Sequence, residues 1–155
     1  MAVRQSCALH HPWVTPPDKY KEFQAYLKRK ATASHLAFLV ILRNSGDLVG
    51  VISLGHIIHG PLRSAFVGYY VFTPHAGKGL MREGMRLVLK HAFQKLKLHR
   101  LEANIQPGNN TSIQLVRGCG FVREGFSRRY LKVGGQWRDH ERWAILAEDL
   151  PRTAK

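Results

Sequence analysis

The sequence predicts an α/β domain built on a mixed β-sheet, and three patterns carry that expectation. An amphipathic stretch from Gly79 to about Leu96 lies between two short apolar runs, Ser64 to Phe72 and Arg100 to Ile105. Such an order joins parallel strands through a helical crossover. Near the end of the chain, Phe121 to Tyr130 and Trp137 to Ala147 flank Gly134-Gly135, the pattern of an antiparallel hairpin. A chain of 155 residues holds one core of useful size, so residues 1–155 are read as a single domain.

Taken in order, residues 1–17 are expected to be an irregular N-terminal segment, because Pro16 and Pro17 stop any earlier element. Asp18 is placed to cap a helix over Lys19 to Lys30, where Tyr20, Phe23, Tyr26 and Leu27 recur at helical spacing. Ala37 to Leu42 and Leu48 to Leu54 are apolar runs separated by the turn residues Asn44, Ser45, Gly46 and Asp47, and they read as a hairpin. Gly60 and Pro61 break the chain before Ser64 to Phe72, a strand rich in aromatic and β-branched residues that ends at Thr73-Pro74. In the helix that follows, Leu80, Met85, Val88, Leu89, Ala92, Phe93 and Leu96 form the stripe of a helix packed on a sheet. After the strand Arg100 to Ile105, Pro107 to Asn110 form a loop, and Ser112 to Arg117 a short helix closed by Gly118 or Gly120. Within the final hairpin, Arg128 to Val133 is expected to bend or bulge.

With 45% hydrophobic and 22% charged residues the composition is that of a globular protein, not a disordered basic tail. No stretch approaches the roughly 20 apolar residues of a membrane span. Met1 to Leu9 lacks the apolar core of a signal peptide, so a cytoplasmic location with no membrane partner is expected. Cys7 and Cys119 are the two cysteines, and both read as reduced thiols. His56 and His59 straddle a strand end and a Gly-Pro turn with no Cys or carboxylate to complete a ligand set, so no metal is expected. The formal charge of +14 fits nucleic acid, a ribonucleoprotein surface or a polyphosphate small molecule. Its basic residues are scattered, and neither an RNA-recognition pattern nor a Cys/His finger is present.

The most informative segment is Val71-Phe72-Thr73-Pro74-His75-Ala76-Gly77-Lys78-Gly79-Leu80-Met81, a strand running through a glycine turn into a long helix. The first N–H groups of a helix have no internal acceptors, and the helix dipole makes that end electropositive. Such an end suits a pyrophosphate, and Lys78 adds a mobile charge. The turn is neither a P-loop nor a Rossmann fingerprint, since no Gly-Lys-Ser/Thr and no third glycine stand at the required spacing.

With its neighbours this segment resembles the GNAT acyltransferase superfamily, in particular its branch of ribosomal-protein (Rim-type) N-terminal alanine/serine acetyltransferases. The resemblance rests on Gly68 to Phe72, Ala76 to Glu83, His99 to Asn104, Asn109 to Ser112, Gly120 to Gly125 and Gly135 to His140, in the family's order and spacing from Ala37 onward. It implies a mixed, splayed central sheet flanked by helices, and acetyl-CoA as co-substrate with no metal. The cofactor pyrophosphate is then expected on Gly77, Lys78, Gly79, Leu80, Met81 and Arg82, and its pantetheine arm along Tyr70, Val71 and Phe72, where that strand parts from Leu101 to Ile105. Asn109 is expected to hold the pantetheine or its loop, and Lys78, Arg82 and Arg117 to lie near the phosphates. Two departures stand out. Ala76 replaces the usual Arg or Gln, and the N-terminal strand and helix look shortened, the first strand being absent, rebuilt from Val3 to Leu9, or supplied by a neighbour. If the first strand is missing, either homodimerisation through the exposed sheet edge or low stability is expected.

The implied reaction is direct attack of a primary amine on a thioester, so Cys119 need not be a nucleophile. A protein α-amine, with a pKa of about 7.7–8.0, is roughly one-tenth neutral at pH 7, whereas a lysine is almost wholly protonated. An enzyme for α-amines can therefore work with a weak base. Where some relatives carry Glu on the central strand this chain has Asn104, and where they carry Tyr on the next helix it has Val116. Glu102, on the same side of the strand as Asn104, is a candidate base through a water, or else an ion-pair partner of Arg100. Ser112 is a candidate thiolate stabiliser or a helix-capping residue, with Tyr130 a weaker alternative. The expected acceptor is a protein N-terminus, plausibly ribosomal, with ribosome association. The alternatives are a non-catalytic ribosome- or nucleic-acid-binding module and an acetyltransferase for a small amine.

Overall fold

The computed structural model describes residues 2–150, apart from the side chains of Arg29 and Lys30. Six strands form one sheet: β1 (Leu36–Ile41), β2 (Leu48–Ile58), β3 (Ser64–Val71), β4 (Arg100–Ile105), β5 (Val122–Val133) and β6 (Gln136–Leu146), in the order β1-β2-β3-β4-β6-β5. Neighbours are antiparallel except for β3 and β4, which the crossover makes parallel. The helices are α1 (Ala2–Gln5), α2 (Cys7–His10), α3 (Tyr20–Lys30), α4 (Leu80–Gln94) and α5 (Asn110–Arg117).

The core forms where α4 and α5 lie on the sheet. Met81, Met85, Val88, Leu89, Ala92 and Phe93 of α4 and Ile113 and Val116 of α5 are buried with Leu101, Ala103 and Ile105 of β4. α4 comes so close to β1 that a Cβ at Gly84 would stand 2.8 Å from Val40 Cγ2. On β4 burial alternates, and Arg100, Glu102 and Asn104 occupy the opposite face, half-buried.

β3 and β4 pair at only three positions, Ser64 with Arg100, Ala65 with Leu101 and Phe66 with Glu102, and then part. The expected splay is therefore present, and it leaves Val67 to Val71 facing a gap. The predicted bulge falls at Ser127 to Leu131, where the β5–β6 register shifts and Arg129, at φ 46°, gives its N–H to Asp139 at 2.7 Å.

Two expectations fail near the N-terminus. Val3 to Leu9, one of the three alternatives for the first strand, is not a strand but two helical turns, so residues 2–10 are less irregular than expected. These turns bridge the splay. Ser6 Oγ accepts the Thr73 N–H at 2.9 Å and donates to the Ala2 carbonyl at 2.8 Å. One turn later His10 Nε2 donates to the Val71 carbonyl at 2.8 Å. On the far side of the gap, Gln106 Nε2 donates to the Trp13 carbonyl at 3.4 Å, and the Trp13 ring packs on Gly108. The second failure is the α3 cap. Lys19 occupies that position without a side-chain bond, and Asp18 instead faces Arg4 at 3.8 Å. The apolar period of α3 still marks a helix, but Tyr20, Phe23 and Leu27 remain 74%, 45% and 48% exposed, so it does not mark a core face.

Ser6 is 1% exposed, and its hydroxyl satisfies two backbone groups. Ser6→Ala is expected to cost about 1 to 3 kcal/mol by orphaning them, measured as a shift in the chemical-denaturation midpoint.

Candidate active site

The splay opens a cleft of about 450 Å3 that passes between β3 and β4. One wall is the turn before α4 together with the first turns of α4 and α5, and the opposite wall includes His10, Trp13, Tyr70, Asn104 and His140. Gly68, Tyr69 and Tyr70 also line an adjoining hollow of about 400 Å3, closed by Val14 to Pro17 and by Glu22, Ala25 and Tyr26 of α3.

The turn presents a run of unused donors. Among the described residues, none of the backbone N–H groups from Ala76 to Met81 reaches a carbonyl, whereas those of Arg82 and Glu83 return to Gly79. Gly77 and Gly79 stand at φ 76° and 78°, a left-handed backbone that side-chain-bearing residues adopt at a cost. A Cβ built at either would meet nothing within 4 Å, so the space above the donors is open to a ligand. These features fit a pyrophosphate, with the positive end of α4 beneath it. Ala76 lines the cleft without a polar side chain, which leaves binding there to the backbone.

Of the other residues assigned to the cofactor, Tyr70, Val71, Arg82 and Asn109 line the cleft, as do Gly77, Gly79, Leu80 and Met81. Three do not. Phe72 is 4% exposed and gives its N–H inward to Val49, Lys78 lies at the exposed tip of the turn, and Arg117 stacks its guanidinium 5.2 Å from the centre of the Trp143 ring. That cation–π contact accounts for the position of Arg117, which is not part of the cleft wall.

Asn109 caps α5 by accepting the Ser112 N–H at 3.2 Å. Ser112 therefore sits inside the first turn rather than at the cap, and its side chain is hydrogen-bonded to the Tyr69 phenol. Its carbonyl accepts the Tyr69 hydroxyl at 3.3 Å, which ties β3 to α5 across the gap, and burial pushes the Tyr69 phenol well above the ordinary tyrosine range. Burial, helped by Tyr26, pushes Tyr70 up to about 12. Both phenols are protonated at neutral pH.

Asn104 Oδ1 is sealed from solvent without a partner, in the wall of the cleft. An unpaired buried acceptor is costly, and an amine N–H would satisfy it. Glu102, two residues earlier, is held by Arg100 Nε at 2.8 Å and lies outside the cleft wall, and Arg100 also grips Glu124 through both terminal nitrogens. The ion-pair role is the one this geometry gives Glu102. Arg100 holds the Glu124 carboxyl below the usual range. Among the described residues, no carboxylate side chain lines the main cleft. Cys119 is buried away from the cleft, and burial pushes its thiol up. No group of His, Cys, Asp or Glu side chains suited to a metal occurs among the described residues. Tyr130 packs edge-on against His140, with 6.1 Å between ring centres. His10, Gln106 and His140 carry no local signal in the sequence; His140 stands three residues beyond Trp137, inside one of the matching blocks.

Residues 2–122 match the acetyltransferase (GNAT) domain family. The chain belongs to that family. A probable N-acetyltransferase of Bacillus subtilis, YjcK, is 38% identical over 137 residues, 88% of this chain and 76% of YjcK. The [ribosomal protein uS5]-alanine N-acetyltransferase of Escherichia coli is 32% identical over 103 residues, which span 66% of this chain and 53% of the relative. Among solved structures, Mycobacterium smegmatis RimJ in complex with CoA-disulfide superposes with a TM-score of 0.84 at 33% identity, covering 95% of this chain and 75% of that one. Spermidine N-acetyltransferase from Vibrio cholerae, in complex with CoA and spermine, gives 0.76 at 26% identity, covering 87% and 79%. The splayed sheet, the turn before α4 and the cleft between them are thus the GNAT fold.

Gly79→Ala forces a side chain into the left-handed backbone that aims the donors, at about 1–2 kcal/mol. It is expected to weaken CoA binding by about tenfold or more in calorimetric titration.

Proposed function

We propose that the chain is an acetyl-CoA-dependent N-acetyltransferase whose acceptor is a primary amine, namely the α-amine of a protein N-terminus, with ribosomal proteins as the acceptor class. The run of free amides from Ala76 to Met81 beside the open edge of β3 carries this reading, since it matches a ligand with a pyrophosphate at one end and an extended amide arm. Acetyl-CoA supplies a thioester carbonyl open to attack by an amine. Gly77, Gly79, Leu80 and Met81 bind its phosphates through backbone N–H groups, with Arg82 adding charge. Along Tyr70 to Phe72, Phe72 spends its N–H on Val49 and Val71 its carbonyl on His10, so the Val71 N–H remains for the arm. Asn109 fixes the first turn of α5, and Ser112 offers its hydroxyl to the departing thiolate.

The choice of an α-amine follows from the missing carboxylate. A cleft without acid residues cannot strip a proton from lysine efficiently, but an α-amine needs little help. A polyamine would need several acids, and the adjoining hollow contributes one, Glu22. A ribosomal acceptor is supported by the uS5-alanine acetyltransferase and RimJ relatives and by the +14 charge, which suits docking on a ribonucleoprotein surface. That reading places the enzyme in the cytoplasm.

The test is intact-mass analysis after incubation with acetyl-CoA. Peptides with a free α-amine should gain one acetyl group and blocked ones none, while preferential acetylation of spermidine or of lysine side chains would overturn the acceptor assignment. Ser112→Ala is expected to lower turnover at least about tenfold with acetyl-CoA affinity retained; unchanged turnover removes the hydroxyl from the reaction.

A further inference from the structure

Three histidines line the cleft, and they differ in what their rings can do. His10 commits Nε2–H to Val71, and its other nitrogen is sealed from solvent, where a captured proton has no exit. His75 lies on the phosphate side, in the loop before α4. His140 is on β6, and the pairing of Asn104 with Arg142 places it two residues along the same face as Asn104. Such diagonal neighbours on adjacent strands stand about 7–8 Å apart between Cα atoms.

The His140 ring is 3% exposed, and Nδ1 lies 2.9 Å from the Arg138 carbonyl. A carbonyl only accepts, so Nδ1 carries the proton and Nε2 keeps the lone pair. Nε2 has no partner among the described residues and is not among the sealed polar atoms. Burial pulls the ring below the ordinary histidine value, against the smaller opposing effects of the Arg138 bond and the Asp139 charge, so it is neutral at pH 7. Its titratable surroundings are Arg138, Asp139 and Arg142 on β6 and Tyr130 on β5, with His10, Tyr69, Tyr70, His75 and Arg82 also lining the cleft.

We propose that His140 Nε2 is the general base of the reaction, taking a proton from the acceptor amine. The proposal rests on the acetyltransferase reading. Nε2 takes one proton from the acceptor ammonium, giving an imidazolium and a neutral amine. The amine nitrogen then bonds to the carbonyl carbon, the carbon–sulfur bond breaks, and the nitrogen's surplus proton goes to the thiolate. The imidazolium returns its proton to water, so one ammonium and one thioester yield one amide, one thiol and one released proton.

The experiment is a pH profile of turnover for the wild type and His140→Asn, because the asparagine amide can keep the Nδ1 bond to Arg138 while removing the base. The variant should lose about tenfold in turnover at pH 7, the factor by which the ammonium outnumbers the free amine, with KM for acetyl-CoA unchanged, and recover as pH passes the acceptor's own pKa near about 8. A loss of purely structural origin would not recover, so a deficit constant across pH, or none, overturns the proposal. His140→Gln is the second variant, and stabilisation by acetyl-CoA checks the fold of both. In the wild type itself turnover should fall with acid through a pKa below the ordinary histidine value; a flat acid limb overturns the assignment even if neither variant folds. Wild type that acetylates no amine defeats the acetyltransferase reading, and His140 with it, whereas active wild type with a fully active variant defeats His140 alone.

Discussion

The structure depends on a pairing that is given up. β3 and β4 run parallel and hydrogen-bonded for three residues and then separate, leaving backbone donors and acceptors of β3 without a neighbouring strand. Unpaired backbone inside a fold is costly, so the parted edge has to be held open from both sides. On one side α5 does this, with Asn109 fixing its first turn and Tyr69 tying it to β3. On the other side the N-terminal turns do it, with Ser6 and His10 gripping the end of β3 and Trp13 resting against Gln106 and Gly108.

The same parting organises the electrostatics. The positive end of α4 and the turn residues Ala76, Gly77, Gly79, Leu80 and Met81, whose amides reach no carbonyl, line the cleft, where Arg82 adds charge. Among the described residues no carboxylate side chain lines the cleft. The acids nearest in sequence are occupied elsewhere. Glu102 and Glu124 share Arg100, and that cluster braces β4 against β5 instead of facing the cleft.

Much of this was legible in the sequence. Strand and helix order follow from period and turn residues, so the crossover around α4, the β1–β2 hairpin and the bulged final hairpin are all where the pattern puts them. The glycine turn was legible because φ above zero and a free helix end leave a local trace. Less local features were not. The Asp18 cap failed because Arg4, distant in sequence, competes for that carboxylate. Arg117 looked available for phosphate, but Trp143 of β6 lies under it. Val3 to Leu9 has no periodicity strong enough to decide between strand and helix, and its helical form is tied to the end of β3 through Ser6 and His10.

By itself, then, the sequence determined the α/β class, the order of the elements and the glycine turn before α4, because each is set by interactions within a few residues of one another. Tertiary structure alone decided which side chains share the cleft. Asn104, His140 and His10 come from β4, β6 and the N-terminal turns, and nothing in their spacing brings them together. Their roles depend on hydrogen bonds and burial that exist only once the sheet has formed and parted, which is when Nδ1 of His140 meets a carbonyl and Oδ1 of Asn104 is left without a partner.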